Sequence, residues 1–187
     1  MRAALSGRNV VDVGEDVVVP FLLKNGVWNL DLVVMSHAHN DHIEGLVSVL
    51  ESIPVKAFME YPPGEDNENY VRIKELVAKN GIRNIYAHEG FSYRIGKDVW
   101  LEVMYPPKEP EKVQTLLSKG DNNRSLLLLL RYQGTGVLFT GDIESDVEQY
   151  LAPEWNGNVD VLKVAHHGSN TSTADEWLEA VKPQLAI

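Results

Sequence analysis

Cysteine is absent from the chain. That excludes disulfides, thiolate nucleophiles and cysteine-held zinc together, and leaves the redox compartment open. Any metal must therefore be held by imidazole and carboxylate. Long apolar runs are missing as well. The longest, Leu126 to Leu130, has the length of a strand and falls far short of the roughly 18 residues of a membrane span. The stretch Met1 to Arg8 carries charge but no apolar core, so it does not read as a signal peptide. Positive charge is scarce: 17 Lys and Arg stand against 27 Asp and Glu, a formal net charge of −10. That balance argues against a basic, non-specific DNA-binding protein. It leaves room for a nucleic-acid enzyme whose metal ions supply the positive charge.

What is present describes a globular domain. An apolar fraction of 44% with 24% charged residues excludes disorder and fibre, and 187 residues suit one domain. No repeat, linker or low-complexity segment interrupts it. Apolar β-rich runs alternate with amphipathic patterns, which predicts a layered α/β fold. The strand pattern covers Val10 to Val13, Leu30 to Met35, Val55 to Met59, Ile82 to Ala87, Phe91 to Ile95 and Val99 to Met104. It resumes at Ser125 to Tyr132, Gly136 to Thr140 and Val159 to Val164, and starts again at Gln184. Helices are predicted over Glu15 to Lys24, His42 to Leu50, Asp66 to Asn80, Ile143 to Leu151 and Thr173 to Val181. Gln133-Gly134 reads as a hairpin turn, and Tyr105 to Gly120, with its prolines, as a mobile loop. A buried strand beginning near the last residue, and a first strand with no hairpin partner ahead of it, lead to the expectation of a fragment truncated at both ends.

Histidines cluster at strand ends. Ser36-His37-Ala38-His39-Asn40-Asp41-His42 follows the Leu30 to Met35 strand. His37 and His39 project to one side of extended chain, while Asp41 and His42 face the same space from the mouth of a helix. Such a loop offers ligands to two adjacent ions. Ala165-His166-His167-Gly168-Ser169 follows the Val159 to Val164 strand; one histidine would be a ligand, the other packed or at the rim. Between them, Gly141-Asp142 places a carboxylate at a third strand end, suited to offer one oxygen to each of two metals.

With these residues in view, the chain resembles the metallo-β-lactamase superfamily, whose HxHxDH signature is His37, His39, Asp41 and His42 here, with a later Asp at Asp142 and a later His at His166. Within it, the chain most resembles the β-lactamase-like domain of the ComEC family of DNA-uptake competence proteins. That likeness rests on Val11 to Asp16, Leu30 to Gly45, Asp121 to Leu126, Leu138 to Glu144 and, above all, Val161 to Ser172. The resemblance implies an αββα sandwich and two divalent metal ions, zinc or manganese. One ion would lie near His37 and His39, the other near Asp41 and His42, with Asp142 bridging and His166 completing the site. Asp12 would be an outer residue buttressing a ligand or loop, or alternatively a strand-end turn residue. The superfamily's further histidine after the Val99 to Met104 strand is missing: Tyr105-Pro106-Pro107-Lys108 stands there, and His88 is not at that position. Asp121, Asn122 or Asn123 is at hand as a weaker oxygen donor.

The resemblance implies a metal-dependent hydrolase, a nuclease or phosphodiesterase acting on DNA during competence DNA uptake. Asp41 would orient or deprotonate the attacking water, or serve purely as a ligand. His167 would act at the reacting phosphate, with Ser169 as a substrate contact, and Thr173 would cap the last helix. The parent would be a membrane channel protein and this part a soluble domain beside the pore. Two other readings stand beside this one: a metal-poor docking domain of the channel, and a small-molecule ester or lactone metallohydrolase.

Overall fold

The structure, a computed structural model, describes residues 11–64 and 66–187. Among these residues two sheets face one another. The first is parallel and three-stranded, in the order β1 (Val33–Val34), β2 (Ala57–Glu60), β3 (Arg83–Tyr86). The second holds β4 (Ser92–Arg94), β5 (Val99–Tyr105), β6 (Leu127–Tyr132), β7 (Thr135–Phe139), β8 (Val161–Lys163) and β9 (Leu185–Ala186) in chain order. It is antiparallel from β4 to β7 and parallel from β7 to β9. The β6–β7 hairpin closes on Gln133 and Gly134, with φ of 48° and 87°, a two-residue turn whose twist suits the strands it joins.

Helices cover both outer faces. The chain runs through a π-helical turn, Gly14–Val18, into α1 (Val19–Lys24). Next come α2 (Asn40–Ser52) and α3 (Glu68–Lys79), which lay Ile43, Leu50, Ile73 and Leu76 on Val33 and Phe58 of the first sheet. On the second sheet, α4 (Gln114–Leu117), α5 (Ser145–Leu151) and α6 (Asp175–Val181) bury Leu117, Val147 and Trp177 against Leu127, Leu129, Leu138 and Leu162. Between the sheets, Ala57, Met59 and Ile85 meet Leu101, Val103, Leu126 and Leu128. The continuous leucine run is thereby explained. Side chains alternate along a strand, and both faces of β6 are covered, so both must be apolar. The expected αββα sandwich is the fold. No described helix is long and apolar enough to cross a membrane.

Four local expectations are revised. Val10 lies outside the described residues, and Val11 and Asp12 form no strand. Asp12 instead opens the first helical turn, its Oδ1 accepting from the Glu15 amide at 2.9 Å and its carbonyl from the Asp16 amide at 2.7 Å. The Leu30 to Met35 run pairs over Val33–Val34 alone, with Leu30 bridged separately to Val55. The proline-rich segment is not a mobile loop: it forms a 3-10 turn (Pro110–Val113) and α4, and buries Val113 and Leu117 in the core.

The fourth revision concerns α6. Thr173 does not cap it; the N-cap is Ala174, whose side chain offers no acceptor, and Thr173 takes φ +61°. The acceptor comes from another helix. Glu148 of α5 is wholly buried, and its two carboxyl oxygens accept from the amides of Thr173 at 2.7 Å and Ala174 at 2.8 Å. Burial pushes its carboxyl above the usual range, against the lowering effect of those two amides. Glu148→Gln leaves one amide facing a donor, so chemical denaturation should show a loss of about 1–3 kcal/mol. A carboxyl whose folded pKa is raised binds its proton more tightly in the folded state. Its contribution is therefore greatest below the unfolded value and falls as pH rises through the folded one. The wild-type-minus-Gln difference should be larger near pH 4 than at pH 7; a difference that grows with pH would refute this assignment.

Candidate metal centre

The site lies where strands of both sheets end. β1 runs out into Ser36 and the histidine loop, and His39 is the N-cap residue of α2. β7 ends at Thr140-Gly141-Asp142, and its parallel neighbour β8 at the Ala165–Gly168 turn. Carboxyl ends of parallel strands are where α/β folds place ligands, since the loops there diverge and leave a crevice. Three contacts lock the ends together: the Leu126 amide donates to the Ser36 carbonyl at 2.9 Å, the Thr140 hydroxyl to the Lys163 carbonyl at 2.6 Å, and the His166 amide to the Gly141 carbonyl at 3.2 Å. Gly141 is required by its own conformation. Its φ is +55°, and a Cβ there would meet Ser125 Cβ at 2.7 Å.

Asp142 is 2% exposed and forms the centre. Its Oδ2 lies 3.0 Å from His42 Nε2, 3.3 Å from His167 Nε2 and 3.9 Å from His37 Nε2. Asp41 Oδ2 stands 3.6 Å from His42 Nε2 and 3.5 Å from His167 Nε2. One ligand atom from each of Asp41, His42, Asp142 and His167 thus falls within 4.8 Å of all the others. A second pair adjoins this set, since His37 Nε2 and His39 Nδ1 are 3.2 Å apart.

The donor chemistry fits cations. Ring nitrogens of His42 and His167 face each other at 3.1 Å, an approach that lone pairs tolerate when a cation lies in the same space. Asp142 Oδ1 is buried and has no partner among the described residues, an orphan acceptor beside a cluster of donors for metal. Burial, and then the neighbouring His42, hold the His37 imidazole down to about 3, so the ring is neutral and keeps a lone pair. At Asp142 burial pushes upward, but the His42 hydrogen bond and the surrounding histidines outweigh it and bring the carboxyl down to about 2.

Of the residues singled out in the sequence, His37, His39, Asp41, His42 and Asp142 come together, and of the His-His pair it is His167 that joins them. His166 and His167 both adopt left-handed backbone, φ 49° and 53°, and that double twist aims His167 at Asp142. His166 turns aside, its Nδ1 3.1 Å from Thr171 Oγ1. Ser169 Oγ also meets Thr171 Oγ1, at 3.0 Å, on the rim. Asn122 and Asn123 brace the loop after Asp142 instead of facing the cluster: Asn122 donates to Glu144 Oε1, and Asn123 Oδ1 accepts from the Glu144 amide. Asp12 accepts from Ser48 Oγ at 2.6 Å and so ties the N-terminal turn to α2. That hydrogen bond, then the Glu15 amide, hold its carboxyl below the usual range.

Two serines were missed by reading the chain. Ser36 Oγ lies 3.2 Å from His37 Nδ1 and 3.4 Å from His42 Nδ1. A hydroxyl oxygen has two lone pairs and can serve both Nδ1 atoms, and its place between the rings turns both Nε2 atoms inward. Ser125 Oγ accepts from the Asp142 amide at 3.0 Å. Ser36 stood directly before the first histidine, a position that could have drawn notice. Ser125 lay inside the Asp121 to Leu126 stretch that carried the resemblance, without a role of its own there.

Comparison with known proteins identifies the family. The sequence profile of the Metallo-beta-lactamase superfamily matches residues 7–187. The chain is 32% identical to ComE operon protein 3 of Bacillus subtilis over 94% of its own length and 22% of that protein's. It is 28% identical to Competence protein ComA of Neisseria gonorrhoeae over its full length and 24% of that protein's. The chain thus spans about a quarter or less of the curated relatives it matches. Among solved structures, CmlA, a diiron β-hydroxylase from Streptomyces venezuelae, superposes with a TM-score of 0.50 at 13% identity, over 85% of this chain and 35% of that one, and shares the fold. A match over nearly every residue, joined to the histidine and aspartate cluster at the strand ends, makes the chain a member of the metallo-β-lactamase superfamily.

Proposed function

We propose that this chain is a two-metal hydrolase that cleaves DNA phosphodiesters, as one domain of a longer membrane protein for DNA uptake. The observation that carries the reading is Asp142, whose carboxyl faces His37, His42 and His167 at once. In this reading Asp41, His42, Asp142 and His167 would hold one divalent ion, and His37 and His39 beside them would hold a second. Bound zinc or manganese there supplies Lewis acidity toward the phosphoryl oxygens and lowers the pKa of water. The competence name of one relative supports DNA as the substrate, and imidazole with carboxylate suits either metal.

The chain's own residues have separable parts in the step. Asp41 is 66% exposed; with one carboxyl oxygen toward the ion, the other would accept the proton of the attacking water. The new bond joins that water's oxygen to phosphorus while the bond to the leaving sugar oxygen breaks. His167, 57% exposed, would give Nε2 to the ion and its other ring nitrogen to the reacting phosphate, with Ser169 and Thr171 lining the rim beyond it.

Three measurements test this. Metal-stripped protein given back manganese, zinc or magnesium should cleave linear single- or double-stranded DNA, and Asp142→Asn should lose about 100-fold or more of that activity. Full cleavage by Asp142→Asn would sink the mechanism, and lactone or ester turnover without DNA cleavage would replace the substrate. Elemental analysis should find two ions in the wild type and fewer in Asp142→Asn; no ion at all would favour a docking domain. Ser36→Ala should keep its melting temperature yet weaken metal affinity about 10-fold, because both Nδ1 atoms lose their shared partner.

A further inference from the structure

The three parallel strands of the first sheet end at one edge, and only β1 carries the histidine loop. β2 and β3, next in order, deliver Tyr61 and Tyr86 with His88 to the same edge. Together with Lys108 and Arg124 these residues line a cleft of about 200 Å³. Every formally charged group in its lining is positive, in a protein of net charge −10. Two larger clefts lack that property: one of about 630 Å³ carries Asp31 beside Lys163, and one of about 460 Å³ carries Glu89 and Glu154.

The cleft is built in detail. Arg124 is fixed by its Nε, which donates to the Pro62 carbonyl at 2.9 Å and lies 3.8 Å from Asp121 Oδ1. Its guanidinium carbon sits 5.3 Å from the centre of the Tyr61 ring, a cation–π arrangement that holds both groups in place. Tyr86 is 58% exposed at a strand end, with Lys74 Nζ 5.0 Å from its ring centre on one side. Lys108 is exposed and forms no ion pair among the described residues. Two tyrosine rings with two cations, Arg124 anchored beside Asp121 and Lys108 unpaired among the described residues, match a flat base attached to a phosphate. Base faces are available in a single strand and are hidden by stacking in a duplex.

We propose that this cleft is a subsite for single-stranded nucleic acid, with a base on Tyr86 or Tyr61 and its phosphate toward Lys108 and Arg124. Resting on the hydrolase reading above, the same strand would continue into the metal centre. Adjacent strands are about 4.8 Å apart, so β1 and β3 deliver their ends roughly 10 Å from each other. Arg124 also directly precedes Ser125, the residue that holds the Asp142 amide.

The test is fluorescence anisotropy with a labelled, hydrolysis-resistant phosphorothioate oligothymidylate of about 16 nucleotides. The wild type should bind it. Tyr86→Ala should bind about tenfold more weakly, as expected when one base loses its stacking partner. Lys108→Glu should bind more weakly and with a salt dependence shallower by about one unit of slope. Both positions are exposed, so both variants should keep the wild-type melting temperature. Wild-type affinity in a Tyr86→Ala/Lys108→Glu double variant would overturn the proposal, as would equal binding of a duplex, or of thymidine monophosphate in place of the oligomer. Binding that these substitutions weaken, without cleavage of unmodified DNA under any metal, would sink the hydrolase reading and leave the subsite standing.

Discussion

A single buried carboxylate organises the histidine cluster at the strand ends. Asp142 sits where the two sheets' ends meet, and its charge is stabilised only because histidines from β1's loop and β8's turn surround it. Remove those rings and a 2% exposed carboxylate would face a low-dielectric interior alone, at a cost of several kcal/mol. Remove the carboxylate and four imidazoles would crowd one space with nothing to draw them together. The mutual dependence explains the supporting structure: Gly141 in its left-handed turn, Ser125 on the Asp142 amide, and Ser36 between two histidine rings.

The sandwich supplies the rigidity that such a cluster needs. Its four layers bury apolar residues on both faces of both sheets, so strand ends cannot drift against each other without opening a core. Polar contacts then place the loops. Glu148 terminates α6 from a neighbouring helix, and Ser172 Oγ donates to the Ile143 carbonyl, which pins the segment after His167 to the one after Asp142. Two consecutive left-handed histidines cost of the order of 1–3 kcal/mol each, and they persist because these anchors over-determine the turn. At the N-terminal side, a close approach of Gly14 to Gly45 seats the first helical turn on α2: a Cβ on Gly14 would fall 2.1 Å from the Gly45 carbonyl oxygen.

Much of the fold was legible because it follows from periodicity. The long leucine run, the Gln133-Gly134 turn and the Asp66 to Asn80 helical pattern each specify their structure locally, and each appears within a residue or two of its expected place. The proline-rich segment misled because prolines mark irregular backbone without saying whether it docks. Val113 and Leu117 show that it does, and their burial depends on α5 and α6 from later in the chain. Thr173 misled for the same reason, since the acceptor that caps α6 lies on a different helix.

The sequence by itself determined which groups this protein has to work with: no thiols, a histidine-rich loop after an apolar strand, an aspartate after a second and a histidine pair after a third. Spacing alone established that His37, His39, Asp41 and His42 share a neighbourhood, because local backbone geometry brings them there. Only the tertiary structure decided that His167 and not His166 faces Asp142, since that choice depends on two backbone dihedrals set by distant anchors. It also decided that Tyr61, Tyr86, Lys108 and Arg124 form one cleft, because residues from four separate segments meet only when parallel strands end side by side. Contacts across 100 and 125 positions, as between His42 and its partners Asp142 and His167, are written in no local pattern. They arise when the layers close and burial leaves those side chains one space to share.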